Sequence, residues 1–321
     1  MNYKPILIVA GEPNSIFLEI FFKSLKLKKY RSPLILICSK ELFIKQMRKF
    51  NFKKRFNLIN PLNMKKQKLN KNEINLIDIK LDLRLSLKQN KINSQSYIKE
   101  CFKVAFKIIR QNITNKFING PISKEKFLNK KFLGMTEYIA NEFKVKNNAM
   151  LIYNKNLSVC PITTHLPLKS VAKNINKRSI VEKIKLIENF YKKDLKIKPK
   201  IAILGLNPHC ESVDKFNEDK KILKPTINSL KKLGIKLSGP YPADTIFLKN
   251  NRQKFNVIVG MYHDQVLTPI KTLYEYDAIN ITLGLPFIRI SPDHGPNEKM
   301  VGKNISNPLS LIQALKFLDK N

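Results

Sequence analysis

Apolar runs of four or five residues recur along this chain. They are separated by stretches in which apolar positions return every three or four residues. Ile6-Leu7-Ile8-Val9-Ala10 and Ile201-Ala202-Ile203-Leu204 have the unbroken apolar character of strands buried on both faces. Phe117-Ile118 lead into Asn119-Gly120-Pro121, a strand end and turn. The helical period predicts a helix from about Ser96, with Ile98, Cys101, Phe102, Ala105, Phe106 and Ile109 on one face. A second helix is predicted to start at Ser179 as its N-cap, with Ile180, Ile184 and Ile187 inward. A third runs from about Asp219 to Leu233, burying Ile222, Leu223, Ile227 and Leu230, and stops at Gly234. Asn307-Pro308 open a last helix bearing Leu311, Ile312, Leu315 and Leu318. Strands alternating with helices predict an α/β fold with a largely parallel sheet. The Lys/Asn-rich region near 60–95 shows neither period and reads as surface and loop.

At 321 residues and 43% apolar content the chain is long enough for one or two domains. No uncharged apolar run reaches the ~18 residues of a membrane span. The start, Met1 to Ala10, is too short an apolar stretch for a secretory leader, so a cytoplasmic protein is expected. Cys38, Cys101, Cys160 and Cys210 are far apart and form no C-x-x-C pair, which signals neither disulfides nor a cysteine–zinc motif.

A net charge of +36 raises the question of nucleic acid. Residues 45–93 carry 14 Lys/Arg and 3 Asp/Glu, whereas residues 199–321 carry 17 and 11. Only 8 of the 60 basic residues are arginine, the residue suited to bidentate forks on phosphates and bases, and no RRM, KH or finger pattern is present. The excess lysine therefore reads as solvated surface, and no specific nucleic-acid partner is expected.

The chain has four histidines, and three follow apolar strand-like runs: His165 in "CPITTHLP", His209 in "LGLNPHCES" and His263 in "GMYHDQ". In a parallel sheet all strand carboxyl ends share one edge, where α/β proteins bind ligands. Three imidazoles on that edge suit a divalent ion such as Zn²⁺ with open positions. The alternative is that each histidine bonds a backbone carbonyl at a strand end. Asp264 adjoins His263, and Asp244 lies in a turn-rich loop. Lys271, Asn280 and Arg289 follow as groups able to grip an anion, with a solvent-facing strand position as the plainer reading of Arg289.

These pieces resemble the 4-hydroxythreonine-4-phosphate dehydrogenase family of pyridoxal phosphate biosynthesis. The matching motifs are Gly11-Glu12-Pro13, "NGPISKE" (119–125), "TEYIA" (136–140), "THLPL" (164–168), "LNPH" (206–209), "GPYPADT" (239–245), "MYHDQ" (261–265) and "INITLGLPFIRISPDHG" (279–295), in the family's order. The resemblance implies an isocitrate/isopropylmalate-dehydrogenase-like fold with two α/β domains around a cleft. The first would comprise residues 1–122 plus 275–321, on the cofactor side. The second would comprise residues 123–274, on the metal, substrate and dimer side. A homodimer with a shared active site is implied, with metal ligands His165, His209 and His263, the third reaching across from the other subunit. Thr136, Asp244, Lys271, Asn280 and Arg289 match substrate-contacting positions, and Asp244 or Lys271 would relay the proton. Gly11, Glu12, His294 and Gly295 fall on the cofactor side.

The implied reaction is metal-dependent oxidation (Zn, Mg or Co) of a small phosphorylated hydroxy amino acid, 4-phosphohydroxy-L-threonine, by NAD or NADP. The product, 2-amino-3-oxo-4-phosphooxybutanoate, then decarboxylates to 3-amino-2-oxopropyl phosphate. The chain departs from the pattern at Met135, where the family has a histidine, after Pro13, where the family is glycine-rich, and at Pro296-Asn297-Glu298-Lys299. There is no G-x-G-x-x-G. A paralogue acting on another phosphorylated hydroxy acid stays open, as does a basic nucleic-acid-binding protein with a structural metal site.

Overall fold

A computed structural model describes residues 3–82, 91–123, 127, 132, 134–213, 216–292 and 294–320. Lys124, Glu125, Asp293 and residues 83–90 of the basic stretch lie outside the described residues. In chain order the described strands are β1 (Ile6–Val9), β2 (Leu34–Cys38), β3 (Phe56–Leu58), β4 (Ile74–Asp78), β5 (Lys116–Asn119) and β6 (Ala149–Tyr153). They continue with β7 (Ser158–Pro161), β8 (Ile201–Leu204), β9 (Leu237–Tyr241), β10 (Val257–Gly260), β11 (Ile279–Leu283) and β12 (Ile288–Pro292). The chain divides into two compact units, Met1–Met135 with Pro286–Asn321, and Thr136–Leu285.

In the first unit the strand order is β3-β4-β2-β1-β5-β12, and every one of these pairings is parallel. Ile6 to Val9 are fully buried, as unbroken apolar strands covered on both faces should be. The helix Phe17–Leu27 buries Phe17, Phe21 and Phe22, and the Phe22 ring stacks on Phe52 at 4.4 Å. The last helix, Leu309–Lys320, packs on Phe17–Leu27; its Asp319 carboxylate accepts from the backbone N–H groups of Arg31 (2.9 Å) and Ser32 (2.7 Å). The expected cap is present, with Asn307 Oδ1 accepting from Leu309 N at 2.9 Å.

Two expectations need correction here. The Lys/Asn-rich region is not all loop, since β4 lies in it, between β3 and β2. Its central Asn75 is fully buried because the side chain donates to Leu34 O (3.1 Å) and Asn70 O (2.8 Å) and accepts from Asn70 N (2.9 Å). The helix expected from Ser96 begins earlier, at Lys91, and ends at Arg110. The lysines of this region that flank β4 do face solvent. Replacing Lys53, Lys65, Lys66 and Lys71, all exposed, with glutamine is expected to leave kcat/KM within about threefold, under ~1 kcal/mol of barrier. A tenfold loss in steady-state kinetics would show that these charges act on the substrate.

In the second unit the order is β11-β6-β7-β10-β8-β9. The pairs β7–β10, β10–β8 and β8–β9 are parallel, while β6 runs antiparallel to β11 and β7. The helix Lys177–Lys193 buries Ile180, Ile184 and Ile187, but Asn176 is its N-cap, accepting from Ser179 N at 2.9 Å. Such a cap is worth about 1 kcal/mol. The predicted helix after Asp219 opens as a π-helical turn, Asp219–Leu223, and continues as an α-helix through Lys232. All four cysteines are free and buried.

Candidate active site

Three adjacent parallel strands, β7, β10 and β8, end a few residues before His165, His263 and His209. The next strand, β9, ends just before Asp244. Parallel pairing aligns the carboxyl ends of these four strands, so the fold carries all four residues on one edge of the second unit. Backbone and side-chain bonds tie the loops together there. Thr163 Oγ1 donates to Met261 O at 2.7 Å, joining the His165 loop to the His263 loop. Gln265 accepts from Met261 N (2.7 Å) and donates to Gly205 O (2.8 Å), joining the His263 loop to the His209 loop.

The His165 and His263 rings lie 6.0 Å apart, inclined at 37°. His263 Nδ1 sits 2.6 Å from Asp264 Oδ1. That contact to a carboxylate places the ring proton on Nδ1 and leaves Nε2 as the lone-pair donor, the arrangement found behind metal-ligating histidines. His209 is exposed, at a positive φ of 54°. Its loop is held by Asp219, a fully buried carboxylate that accepts from Leu206 N (2.8 Å), Asn207 N (3.1 Å) and Asn207 Nδ2 (3.0 Å). Gly205 allows this fold-back: a Cβ there would lie 2.7 Å from Cys210 Sγ and 2.9 Å from Asp219 Oδ1. Burial, then the Asp219 charge, raises the pKa of the Cys210 thiol, so Cys210 stays protonated at neutral pH. Among the described residues no group of three or more His, Cys, Asp or Glu is arranged to hold a metal. The donor chemistry that fits a divalent ion is that of the three imidazoles His165, His209 and His263.

Of the other expected residues in this unit, Thr136 Oγ1 lies 3.5 Å from Thr282 Oγ1 on β11, the strand that carries Asn280. Lys271 is exposed, two turns past His263 on the helix His263–Tyr274. In the first unit, Arg289 is 2% exposed on β12, and its Nε donates to Asn119 Oδ1 at 2.7 Å. The plainer reading of Arg289 as a solvent-facing strand residue is thereby overturned: the guanidinium is buried and its Nε–H is taken up by a neighbouring amide on β5.

The stretches that the resemblance puts on the cofactor side also meet in the first unit, where Ile16 N donates to Pro296 O at 3.2 Å. Gly11 (φ 83°) could not bear a Cβ, which would lie 2.5 Å from Pro121 O; Glu12 is 4% exposed, and its N–H donates to Pro121 O at 2.9 Å. Both residues thus brace the turn after β5. His294 Nδ1 lies 3.0 Å from Gly295 O.

Gln265, Asp219 and Glu137 are features that motif reading passed over. Gln265 stands in "MYHDQ" and Glu137 in "TEYIA", so both were legible as motif members, whereas the bonds of Asp219 to the His209 loop leave no signal in the sequence.

Residues 29–318 match the family model described as "Pyridoxal phosphate biosynthetic protein PdxA". The chain belongs to that family. Among its PdxA-like relatives, a 4-hydroxythreonine-4-phosphate dehydrogenase of Sulfurihydrogenibium sp. (strain YO3AOP1) is 38% identical over 315 residues, covering 97% of this chain and 96% of the relative. A D-threonate 4-phosphate dehydrogenase of Pectobacterium atrosepticum is 31% identical over 249 residues, 76% of each chain. The crystal structure of 4-hydroxythreonine-4-phosphate dehydrogenase from Klebsiella pneumoniae superposes with a TM-score of 0.83 at 26% identity, covering 98% of this chain and 97% of that one. The α/β expectation is therefore met by the PdxA fold.

Proposed function

We propose that this chain is a 4-hydroxythreonine-4-phosphate dehydrogenase, oxidising the secondary hydroxyl of 4-phosphohydroxy-L-threonine to the β-keto acid, which then loses CO₂. The single observation that carries the reading is the alignment of His165, His263, His209 and Asp244 behind four adjacent strands, in a chain that belongs to the PdxA family. His165 and His209 of one subunit, with the partner subunit's His263, would hold a divalent ion, Zn, Mg or Co, in a homodimer. When bound, the ion supplies Lewis-acid polarisation of the substrate hydroxyl and, after oxidation, of its carbonyl. NAD or NADP supplies the hydride acceptor.

The chain's own groups do the rest. Asp264 keeps the His263 ring in one tautomer and orientation. Asp244, exposed at the end of β9, and Lys271 are the groups proposed to take the hydroxyl proton. Lys271, Thr136 and Asn280 would bind the phosphate and amino-acid moiety, Lys271 as a point charge. Arg289 is assigned to substrate on the resemblance alone, as are Gly11, Glu12, His294 and Gly295 to the cofactor. Among the described residues no helix is long and apolar enough to cross a membrane.

A second reading, oxidation of D-threonate 4-phosphate, is favoured by Met135. Where the family pattern has a hydrogen-bonding histidine, this residue presents a thioether that is 9% exposed at the start of the helix Met135–Glu142. The test is reduction of NAD and of NADP by purified protein, with each substrate in turn and with Zn²⁺, Mg²⁺ or Co²⁺ added. Turnover of 4-phosphohydroxy-L-threonine in preference to D-threonate 4-phosphate is expected. The opposite preference would transfer the assignment, and reduction with neither substrate would end both.

A further inference from the structure

We propose that the first unit carries a binding site of its own, an apolar cavity with a cationic mouth. Its ligand is a small soluble amphipathic anion, an alkyl or aryl body bearing one carboxylate or phosphate. The cavity, of about 380 Å³, lies where the helix Lys40–Lys49 ends and the chain turns into β3. That volume falls at the small end of the roughly 300–1,000 Å³ that ligand pockets span. Four apolar residues line it: Phe52 is buried, and Ile44, Met47 and Phe56 are half-buried. The Phe52 ring stacks on Phe22 at 4.4 Å and Phe56 meets Phe43 edge-on at 5.4 Å, so the core fixes the wall. Arg48 and Lys53, also in the lining, are exposed.

Charge selects the kind of guest. Residues 42–72 hold 10 Lys/Arg and no Asp or Glu, and Glu41 stands in the first turn of the helix, away from the cavity at its end. Neither Arg48 nor Lys53 is ion-paired among the described residues. Burial and, after it, the charge of Lys29 lower the pKa of the neighbouring Lys54, a sign of positive field that no carboxylate relieves. A cleft of one sign beside apolar walls concentrates the opposite charge. The carbonyls that close the helix would repel an anion, but they are covered. Gln46 O, Met47 O and Arg48 O accept from Phe50 N, Phe52 N and Asn51 N at 3.0, 2.9 and 3.2 Å. Lys26 Nζ donates to Phe50 O (3.3 Å) and Asn51 O (3.4 Å). With the backbone so engaged, a ligand meets apolar side chains and two cations, Arg48 offering a fork to a carboxylate or phosphate. The apolar groups are recessed, which suits a guest that enters rather than a bilayer surface.

The experiment is calorimetric titration of full-length protein with sodium decanoate, with decyltrimethylammonium as the cationic counterpart, and methyl NMR of Ile44 and Met47. One decanoate per chain is expected, shifting the Ile44 and Met47 methyl signals, while the cationic amphiphile leaves them in place. The double variant Arg48→Gln/Lys53→Gln is expected to bind decanoate about tenfold more weakly and with less dependence on salt. Both side chains are exposed, so its melting curve should match wild type. If it does not, either single substitution decides. Three results would overturn the site: no decanoate uptake, equal affinity for the cationic amphiphile, or undiminished affinity in the variant. Binding to phosphatidylglycerol vesicles without binding of soluble decanoate would overturn it as well, and make the patch a membrane-facing one.

Discussion

The His209→Ala variant is expected to purify without most of its divalent ion and to lose about a thousandfold in kcat/KM, roughly 4 kcal/mol of transition-state stabilisation. The loss follows from ligand number, because an ion held by three imidazoles and left with two has an incomplete shell and exchanges readily. Emission spectrometry of the purified variant reads the first effect and steady-state kinetics the second. A variant that keeps one ion per active site at wild-type turnover would remove His209 from the site. The exposure of His209 makes this variant informative, since an exposed side chain can be truncated with little cost to the core.

A second large effect is expected at Asp219, on stability as well as activity. Truncation to alanine leaves the N–H groups of Leu206 and Asn207 without their carboxylate and opens a void beneath Gly205. Losing charge-assisted bonds at a fully buried site costs about 3 kcal/mol. A thermal midpoint lowered by roughly 6–12 °C is expected, at 2–4 °C per kcal/mol for a unit of this size. Because the same loop presents His209, divalent-ion affinity should fall with it. An unchanged melting curve in scanning calorimetry would mean that neighbouring groups reoccupy the acceptor's place.

Much of this arrangement is legible in the sequence alone. Unbroken apolar runs as short as Ile201–Leu204, alternating with helical periods, fit two-sided strands, and the parallel pairing and the shared edge follow from them. The three histidines were visible because the chain uses so few and places them just past such runs. What escaped was local or distant. β4 was hidden because its apolar run is broken by Asn75 and flanked by lysines, and only tertiary bonds to Leu34 and Asn70 make a buried asparagine tolerable there. The helix expected at Ser179 begins earlier because Asn176, not Ser179, supplies the capping oxygen. The burial of Arg289 is not legible in the sequence, because the partner of its Nε, Asn119, belongs to a strand far back in the chain. Asp219 marks the start of an expected helix, yet only the fold shows that its carboxylate holds the His209 loop.

The split composition of the first unit bears on how the chain folds as it is made. Residues Thr136–Leu285 are contiguous, so that unit has all of its strands once Leu283 has left the ribosome. The other unit has β1 to β5 in hand much earlier, yet the flank of β5 that pairs with β12 stays open until Ile288–Pro292 emerge. The helix Leu309–Lys320, which covers Phe17–Leu27 and closes on Arg31 and Ser32 through Asp319, comes last of all. For most of synthesis the nascent first unit therefore exposes a bare strand edge and the face of Phe17–Leu27 that the last helix covers, surfaces of the kind that chaperones bind and that seed aggregation. Truncations or frameshifts near the carboxyl end should harm the amino-terminal unit first, while the histidine-bearing unit is already whole.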